Sequence, residues 1–376
     1  MFKNLRELIV SMPDEKTCRE YLANQRWSDG KIVCPYCSHP KSYVIEGGER
    51  YKCANNKCYK RFTVTVGTIM EASNIPISKW LTGIYLVTAH KKGISSYQLG
   101  RDLGIAQKNS WFMLHRIREM MKGSLSKKLD NVVEADETYV GGSIANKHIT
   151  VRKQYAETKN WLSNKTTVLA MIERNGEAMA KVIENNTHRE VNKTVRENIV
   201  KGAKVVTDSH SYYTSLSDSY SHFTVNHSMN EFINGDNHTN TIEGMFSHFK
   251  RMVYGIYHQI SPRHNQRYLD EFIHRYNSRK MTDADRFQLS FANVERRLTY
   301  KALIAVKEKA EREIPFVGQS RNHSELSVTQ LKHGEIIGTY QSLNEAARLT
   351  GIDVSNISKA LNGKRGNAGG FKWIYA

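Results

Sequence analysis

The sequence predicts a mixed α+β/α/β chain built from several domains, and three observations lead to this fold class. Four cysteines near the N-terminus fall in two close pairs, which predicts a small metal-stabilised ribbon. The central third alternates β-branched runs with helical patterns. Pairs of short helical segments joined by glycine turns occur both before and after that centre. A length of 376 residues accommodates two or three ordinary hydrophobic cores.

The composition indicates a polyanionic partner. Lysine and arginine number 55 against 37 aspartates and glutamates, a formal net charge of +18. Such an excess is typical of proteins that bind nucleic-acid phosphates. Binding to a membrane surface is disfavoured because the charge is spread along the chain instead of concentrated on one amphipathic helix. No run of eighteen apolar residues or signal peptide is found, so we expect a cytoplasmic, nucleoid-associated protein without a membrane partner.

The first element is the cysteine pattern. Cys34 and Cys37 are separated by two residues, and fifteen residues later Cys53 and Cys58 are separated by four. Four thiolates in two knuckles joined by a hairpin predict one structural, tetrahedral Zn²⁺. Two disulfides or four free thiols are the alternative, which the odd total of five cysteines in a cytosolic chain disfavours. Cys18, in an amphipathic segment, is predicted to be a small packed side chain.

The second element is a helix, a turn at Gly104-Ile105 and a second helix. Ser95 is a candidate N-cap, and the inward positions are Leu99, Leu103, Trp111, Leu114 and Ile117. This pattern predicts a helix-turn-helix. Its second helix is predicted to expose Gln107, Lys108, Asn109, Arg116 and Arg118. Lys108, Arg116 and Arg118 are the candidate DNA contacts, and an ordinary helical hairpin is the alternative.

The central segment follows in the order strand (132–140), basic stretch (146–165), hairpin around Asn175-Gly176, helix (187–201) and strand (203–209). This is the order expected of an RNase H-like fold. The basic stretch is either a loop that grips DNA or a solvated polar loop.

Three acidic residues in and after this segment are candidate metal ligands. Asp136 and Asp208 each follow an apolar, β-branched run, so both are predicted to emerge at strand ends. Glu243 comes 35 residues after Asp208, and Lys250 seven residues later lies on the same helix face. If the strands are neighbours and the helix crosses them, the three carboxylates converge. Hard oxygen ligands of this charge suit Mg²⁺ or Mn²⁺, so we predict a two-metal site for phosphodiester chemistry. A capping or turn role for each acid is the alternative.

These residues resemble the catalytic core of DDE transposases and retroviral integrases. Motifs shared with bacterial insertion-sequence transposases that begin with a zinc ribbon are DETYVGG (136–142), VNHS (225–228), HTNTIEGMFSHFKR (238–251), GIYH (255–258) and RYLDEFIHRYNSR (267–279), and the likeness covers about residues 10–285. The resemblance implies a third catalytic residue that is either Asn or Glu. Asn240 and Glu243 are both present, and charge together with Lys250 seven residues on favours Glu243.

The C-terminal segment forms a separate unit after the linker 318–325. It has a strand, helices at about 343–349 and 354–361, and a final FKWIYA strand. SLNEAARLTGI, ISKALNGKR and AGGFKW resemble the NUMOD-type DNA-binding module of homing endonucleases. The residues predicted to face DNA are Ser355, Asn356, Ser358, Lys359, Asn362, Lys364 and Arg365.

The resulting hypothesis is a transposase. The predicted domains are a zinc ribbon (1–70), a helix-turn-helix region (71–125), an RNase H-like catalytic domain (126–285), a helix and linker (286–330) and the terminal module (331–376). One metal activates the water that cleaves the element's end, the other stabilises the departing oxygen, and the freed 3′-hydroxyl attacks target DNA. Joining two ends implies a homo-oligomer on DNA. A non-catalytic DNA-binding protein and an RNase H-like nuclease without strand transfer are the alternatives.

Overall fold

The computed structural model describes residues 2–123, 125–142, 144–158, 165–184, 187–225, 235–305, 327–363 and 365–375. The chain divides into two compact units, Met1–Val306 and Lys307–Ala376. No helix in the described part of the chain is long and apolar enough to span a bilayer.

The first unit begins with two helices and a small ribbon. The helices are α1 (Leu5–Ser11) and α2 (Glu15–Arg26), whose N-termini are capped by the side chains of Asn4 and Asp14. The strands β1 (Ser42–Ile45), β2 (Arg50–Cys53) and β3 (Arg61–Phe62) form an antiparallel sheet in that order. Trp27 packs edge-on against Tyr51, and both lie in the same buried cluster as Cys18, as the sequence predicts for that cysteine.

Three helices follow, namely α3 (Ile77–Ala89), α4 (Ser96–Leu103) and α5 (Gln107–Met121). Ser95 caps α4 as predicted, accepting a hydrogen bond from the Gln98 backbone N–H. Gly104 ends α4 with φ of 58°, a conformation that glycine adopts without steric cost. Of the predicted inward residues, Leu99, Leu103, Leu114 and Ile117 are buried, and Trp111 is half-buried.

The centre is a five-stranded mixed sheet. Its strands are β4 (Val132–Val140), β5 (Thr166–Glu173), β6 (Ala178–Ile183), β7 (Lys204–Asp208) and β8 (Ser221–Val225). They are ordered β6-β5-β4-β7-β8, with antiparallel pairing in the hairpins β4-β5 and β5-β6 and parallel pairing of β4-β7 and β7-β8. Asn175, with φ of 61°, turns the β5-β6 hairpin as the sequence predicts.

Helices cover both faces of this sheet. The remaining helices of the unit are α6 (Ile149–Thr158), α7 (His188–Asn198), α8 (Asn240–Met252), α9 (Asn265–Asn277), α10 (Asp283–Ser290) and α11 (Tyr300–Ile304). The helix α7 and the 3₁₀ segment Ser211–Asp218 share one buried cluster with Val133 and Ala135 of β4. The helices α8 and α9 share another cluster with Val140. Two residues from α10 and its continuation, Phe287 and Phe291, join the N-terminal core.

A buried ion network joins α5 to α9, and it corrects a sequence expectation. Arg118 is 1% exposed and donates to Glu271 over 2.6 Å, while its guanidinium lies 3.9 Å from the Tyr268 ring centroid. Arg116 is also buried and donates to the Ile69 carbonyl. The prediction that α5 exposes these two arginines is wrong, because both side chains are buried and donate hydrogen bonds to groups inside the protein. Neither side chain is available for a DNA contact.

The described residues of the second unit, 327–363 and 365–375, form a three-stranded sheet with two helices. Its strands are β9 (Val328–Lys332), β10 (Glu335–Tyr340) and β11 (Lys372–Tyr375), in the antiparallel order β10-β9-β11. The helices α12 (Leu343–Thr350) and α13 (Val354–Leu361) lie where the sequence predicts them. Leu343, Ile357 and Trp373 form its small core.

Candidate active site

The first two predicted carboxylates come from neighbouring parallel strands. The register pairs Val132 with Lys204 and Glu134 with Val206, and two further residues in this register bring Asp136 level with Asp208. Side chains alternate along a strand, so Asp136 shares the face of Glu134, the face that α8 covers. Asp208 likewise lies on the face opposite Val205, which packs on the α7 side. Both carboxylates therefore belong to the α8 side of the sheet.

Asp208 ends its strand as predicted, but Asp136 does not. β4 continues for four residues to Val140 because β5 keeps pairing with it up to Thr166. The prediction of a strand end at Asp136 is therefore wrong. β5, which pairs with β4 as far as Val140, lies on the side of β4 away from β7. The parallel pairing with β7 stops at Glu134, which opens the sheet edge beside Asp136.

Helix α8 carries the other candidates. Its buried stripe consists of Ile242, Met245, Phe246, Phe249 and Met252. Asn240, Glu243 and Lys250 lie on the exposed stripe, and the interval of seven residues places Glu243 and Lys250 on one face. Glu243 also accepts a hydrogen bond from the Thr239 hydroxyl over 2.8 Å, so the first turn of the helix holds its carboxylate.

The side chain that positions α8 is Glu134, which the sequence analysis missed. This carboxylate is 0% exposed and accepts hydrogen bonds from the backbone N–H groups of Thr241 and Ile242 over 2.9 and 3.0 Å. The Thr241 hydroxyl donates to it as well, over 2.8 Å. A strand residue thus satisfies the free N–H groups at the helix N-terminus. The signal available in sequence was an acidic residue two positions before Asp136, on the same face of the strand.

Arg174, at the end of β5, completes this support. Its guanidinium pairs with Glu134 over 2.7 Å and donates to the carbonyls of Asp236 and His238. These two carbonyls belong to the segment that leads directly into α8. One buried ion pair therefore fixes both the start of the helix and the chain entering it relative to β4, two residues from Asp136.

Asp136 interacts electrostatically with the other candidates, Asp208, Glu243 and Lys250. Burial, together with the negative charges of Asp208 and Glu243, raises the pKa of Asp136 to about 7, and Lys250 opposes this rise. The backbone N–H of Glu137 donates to Asp136 over 2.7 Å. On the opposite face of β4, burial raises the pKa of Glu137 to about 8, and the Tyr213 hydroxyl donates to that carboxylate.

The predicted zinc ligands form a compact cluster. The sulfur atoms of Cys34, Cys37, Cys53 and Cys58 all lie within 4.8 Å of one another, as a tetrahedral thiolate site requires. Among the residues that the structure describes, this is the one such group of three or more ligand-type side chains. The carboxylates of Asp136, Asp208 and Glu243 do not form such a group among the described residues.

The predicted DNA contacts fall in two places. Lys108 is exposed on the first turn of α5, and it is the member of the predicted α5 set that stays accessible as a cation. In the second unit Lys359 and Arg365 are exposed, and Arg365 donates to the half-buried Asn356 over 2.9 Å. Lys364 lies outside the described residues, as does most of the VNHS motif.

Comparisons with known proteins match three segments of the chain. Residues 13–61 match the transposase zinc-ribbon domain, residues 128–277 the ISXO2-like transposase domain, and residues 329–373 the NUMOD-like domain of I-HmuI-like DNA endonucleases. A curated relative from Halobacterium salinarum, described as an uncharacterized protein in transposable element ISH50, is 24% identical over 260 residues. That alignment covers 65% of this chain and 85% of the relative.

Proposed function

We propose that this chain, which carries a transposase zinc ribbon, an ISXO2-like transposase domain and a NUMOD-like domain in that order, cleaves and joins DNA at the ends of a mobile element. The observation that carries the proposal is the convergence of Asp136 and Asp208 on adjacent parallel strands beneath the helix that bears Glu243. The sheet order and the helix across it support an RNase H-like catalytic domain. The 24% identity to a transposable-element protein points the same way.

The residues fit a divalent metal site by their chemistry. Three carboxylates present hard oxygen ligands, and burial together with the charges of Asp208 and Glu243 disfavours the ionised form of Asp136, which a bound cation would stabilise. Asp136, Asp208 and Glu243 would hold Mg²⁺ or Mn²⁺. When bound, two such ions supply Lewis-acid stabilisation of the phosphate and of the attacking and leaving oxygens.

The chain's own contribution is positioning. Lys250 presents a cation beside the carboxylates, where it would bind a substrate phosphate oxygen as a point charge. Glu134 and Arg174 fix the start of α8, so the distance from Glu243 to the sheet does not depend on a mobile loop. Lys108 and the exposed cations of the second unit would bind duplex phosphates and groove edges. A homo-oligomer bridging both ends would deliver them together.

The test is metal-dependent cleavage of DNA carrying the element's terminal sequence. Asp208→Asn is expected to lower the cleavage rate by roughly 10³-fold while duplex binding stays within about twofold, because other surfaces make the duplex contacts. Lys250→Ala is expected to lower the rate less, since it leaves the metal ligands in place. If Asp208→Asn and Glu243→Gln both cleave at the normal rate, the catalytic proposal is wrong and a non-catalytic DNA-binding protein replaces it.

Asn240 provides the matched control for the third ligand. Asn240 and Glu243 share the exposed stripe of α8 one turn apart, so either substitution perturbs the same helix end. We expect Glu243→Gln to abolish cleavage and Asn240→Ala to retain it. The reverse result would assign the third position to Asn240. Product analysis on a target plasmid distinguishes a transposase from the remaining alternative, a nuclease without strand transfer. Such a nuclease would cut ends and leave no joined product.

A further inference from the structure

The ribbon sheet of β1, β2 and β3 carries a row of side chains on one of its faces. Tyr43 lies directly opposite Lys52, and Lys52 lies directly opposite Arg61. Residues opposite one another on neighbouring strands point to the same face. The other face carries Tyr51 and Phe62, which are 6% and 3% exposed and stack on each other in the core. The row of Tyr43, Lys52 and Arg61 therefore faces solvent.

Two further residues extend this row. The Lys41 ammonium lies 5.6 Å from the Tyr43 ring centroid, and the Lys52 ammonium lies 5.2 Å from that of Tyr59. Tyr43 and Tyr59 remain 53% and 56% exposed. We call the set of Lys41, Tyr43, Lys52, Tyr59 and Arg61 the ribbon outer face. It alternates accessible aromatic rings with cations.

The charge of the ribbon favours an anionic partner. Residues 31–66 contain seven lysines and arginines against two glutamates. Glu46 is one of these glutamates, and its carboxylate lies 3.4 Å from Arg50 and 3.7 Å from Arg61. All three side chains are more than 40% exposed, and ion pairs in water contribute little. Arg61 therefore stays available to a phosphate.

From this arrangement we infer that the ribbon outer face binds an unpaired DNA strand, with bases stacked on Tyr43 and Tyr59 and phosphates on the neighbouring cations. Rings and cations at strand spacing match a backbone that alternates bases and phosphates. A duplex covers its base faces by stacking and offers only base edges and phosphates, so an intact duplex leaves the two rings without a partner. The inference rests on the proposed function for its substrate, the DNA strands separated by cleavage at the element's end.

The test measures fluorescence anisotropy of a labelled single-stranded oligonucleotide and of the matching duplex with the full-length, zinc-loaded protein. Tyr43→Ala combined with Tyr59→Ala is expected to weaken single-strand binding by roughly 30-fold or more, because each lost stacking partner costs about fivefold or more, while duplex affinity stays within about twofold. Lys52→Gln is expected to lower single-strand affinity and reduce the slope of log affinity against log salt by about 0.7.

The controls use the same strands. Tyr43→Phe keeps the ring and is expected to bind like the wild type. Val44→Ala removes a side chain that is 58% exposed on the other face of the same strand, and it is expected to change neither affinity. Equal zinc content in all variants shows that the ribbon is folded.

The inference is overturned if the double tyrosine variant binds the single strand like the wild type, loses duplex affinity equally, or is matched by Val44→Ala. These results are independent of end cleavage. If Asp208→Asn cleaves normally, only the proposed function is refuted. If the double tyrosine variant binds the single strand unchanged, only the inference about the ribbon outer face is refuted.

Discussion

The carboxylates of Glu271, which is fully buried, and Asp136, which is half-buried, have opposite surroundings. Glu271 on α9 is 0% exposed and accepts hydrogen bonds from Arg118, Arg275 and the Tyr257 hydroxyl, so the pKa of its carboxyl falls to about 2 despite burial. Asp136 on β4 has the Glu137 backbone N–H as its hydrogen-bond donor and two acidic neighbours, and its pKa rises to about 7.

The difference is consistent with a structural role for Glu271 and with the catalytic role that we propose for Asp136. Both carboxylate oxygens of Glu271 accept hydrogen bonds from donors of the same chain, so its negative charge contributes to folding. Asp136 is held where its ionised form is disfavoured, which costs stability and is tolerated at sites that bind an external cation or react. Glu134 lies two residues from Asp136 in sequence yet belongs to the first kind, since Arg174 and the start of α8 satisfy it.

The largest expected effect tests Asp136. Asp136→Asn is expected to lower metal-dependent end cleavage by roughly 10³-fold, yet to leave the free energy of unfolding equal to or above that of the wild type, because it removes a repelled, desolvated charge. Denaturant unfolding and cleavage assays on the same preparation check both parts. A clear loss of stability would place Asp136 with the structural carboxylates.

The next effect concerns Glu271. Glu271→Gln is expected to destabilise the protein by about 3–5 kcal/mol, because Arg118 and Arg275 keep their charges without the buried partner. Urea unfolding monitored by tryptophan fluorescence measures it. The matched control is Glu197→Gln, which breaks the solvent-exposed pair with Lys193 and is expected to change stability by less than about 0.5 kcal/mol. A loss that does not exceed that of this control would contradict the structural role.

The substitution of Glu134 is expected to have intermediate effects on cleavage and stability, because Glu134 acts on the site through α8. Glu134→Gln is expected to cost about 1.5–3 kcal/mol of stability and to lower cleavage roughly 10- to 100-fold. The cleavage loss should appear at temperatures where the variant is fully folded by circular dichroism, and it should be partly restored by raising the Mg²⁺ concentration. Full activity in the folded variant would show that α8 needs no anchor on β4.

The smallest expected effect is a pH dependence at the α5-α9 contact. Burial, together with the charges of Arg263 and Arg118, lowers the pKa of His264 from 6.5 to about 4. Between these values the unfolded chain binds a proton that the folded chain does not, so this stability is present above pH 6.5 and is lost as pH falls towards 4. The Tm is expected to drop between pH 7 and 5, and by less in His264→Gln. An identical drop in both proteins would exclude His264 as its source.

The sequence predicted what short-range patterns determine. Apolar, β-branched runs predicted β4 and β7, the seven-residue interval predicted the shared face of Glu243 and Lys250, and the N-cap signal predicted the start of α4 after Ser95. The cysteine spacing gave the sulfur cluster, and the transposase zinc-ribbon match confirms the family of that segment. The boundaries of the five predicted domains and the roles of the acidic residues stay predictions.

What the sequence could not give depends on partners far along the chain. Arginines such as Arg116 and Arg118 are typical of an exposed helix face. Inside the protein they donate hydrogen bonds to Ile69 and Glu271, which are 47 and 153 residues away. In the sequence, Glu134 is one more acidic residue in an apolar strand. Its role depends on Thr241, 107 residues later, which lies in the first turn of a helix beside it. No local pattern encodes such pairings.

The separation of 153 residues between Arg118 and Glu271 also sets an order of events during synthesis. At roughly 5–20 residues per second, a ribosome adds the intervening chain in about 10 to 30 seconds. Throughout that interval α5 has emerged without the carboxylate that neutralises it, and Phe287 of the N-terminal core has not been made. The first unit is therefore expected to finish folding only after α9 and α10 leave the exit tunnel, so a transcript broken before them yields a chain that is open to proteolysis.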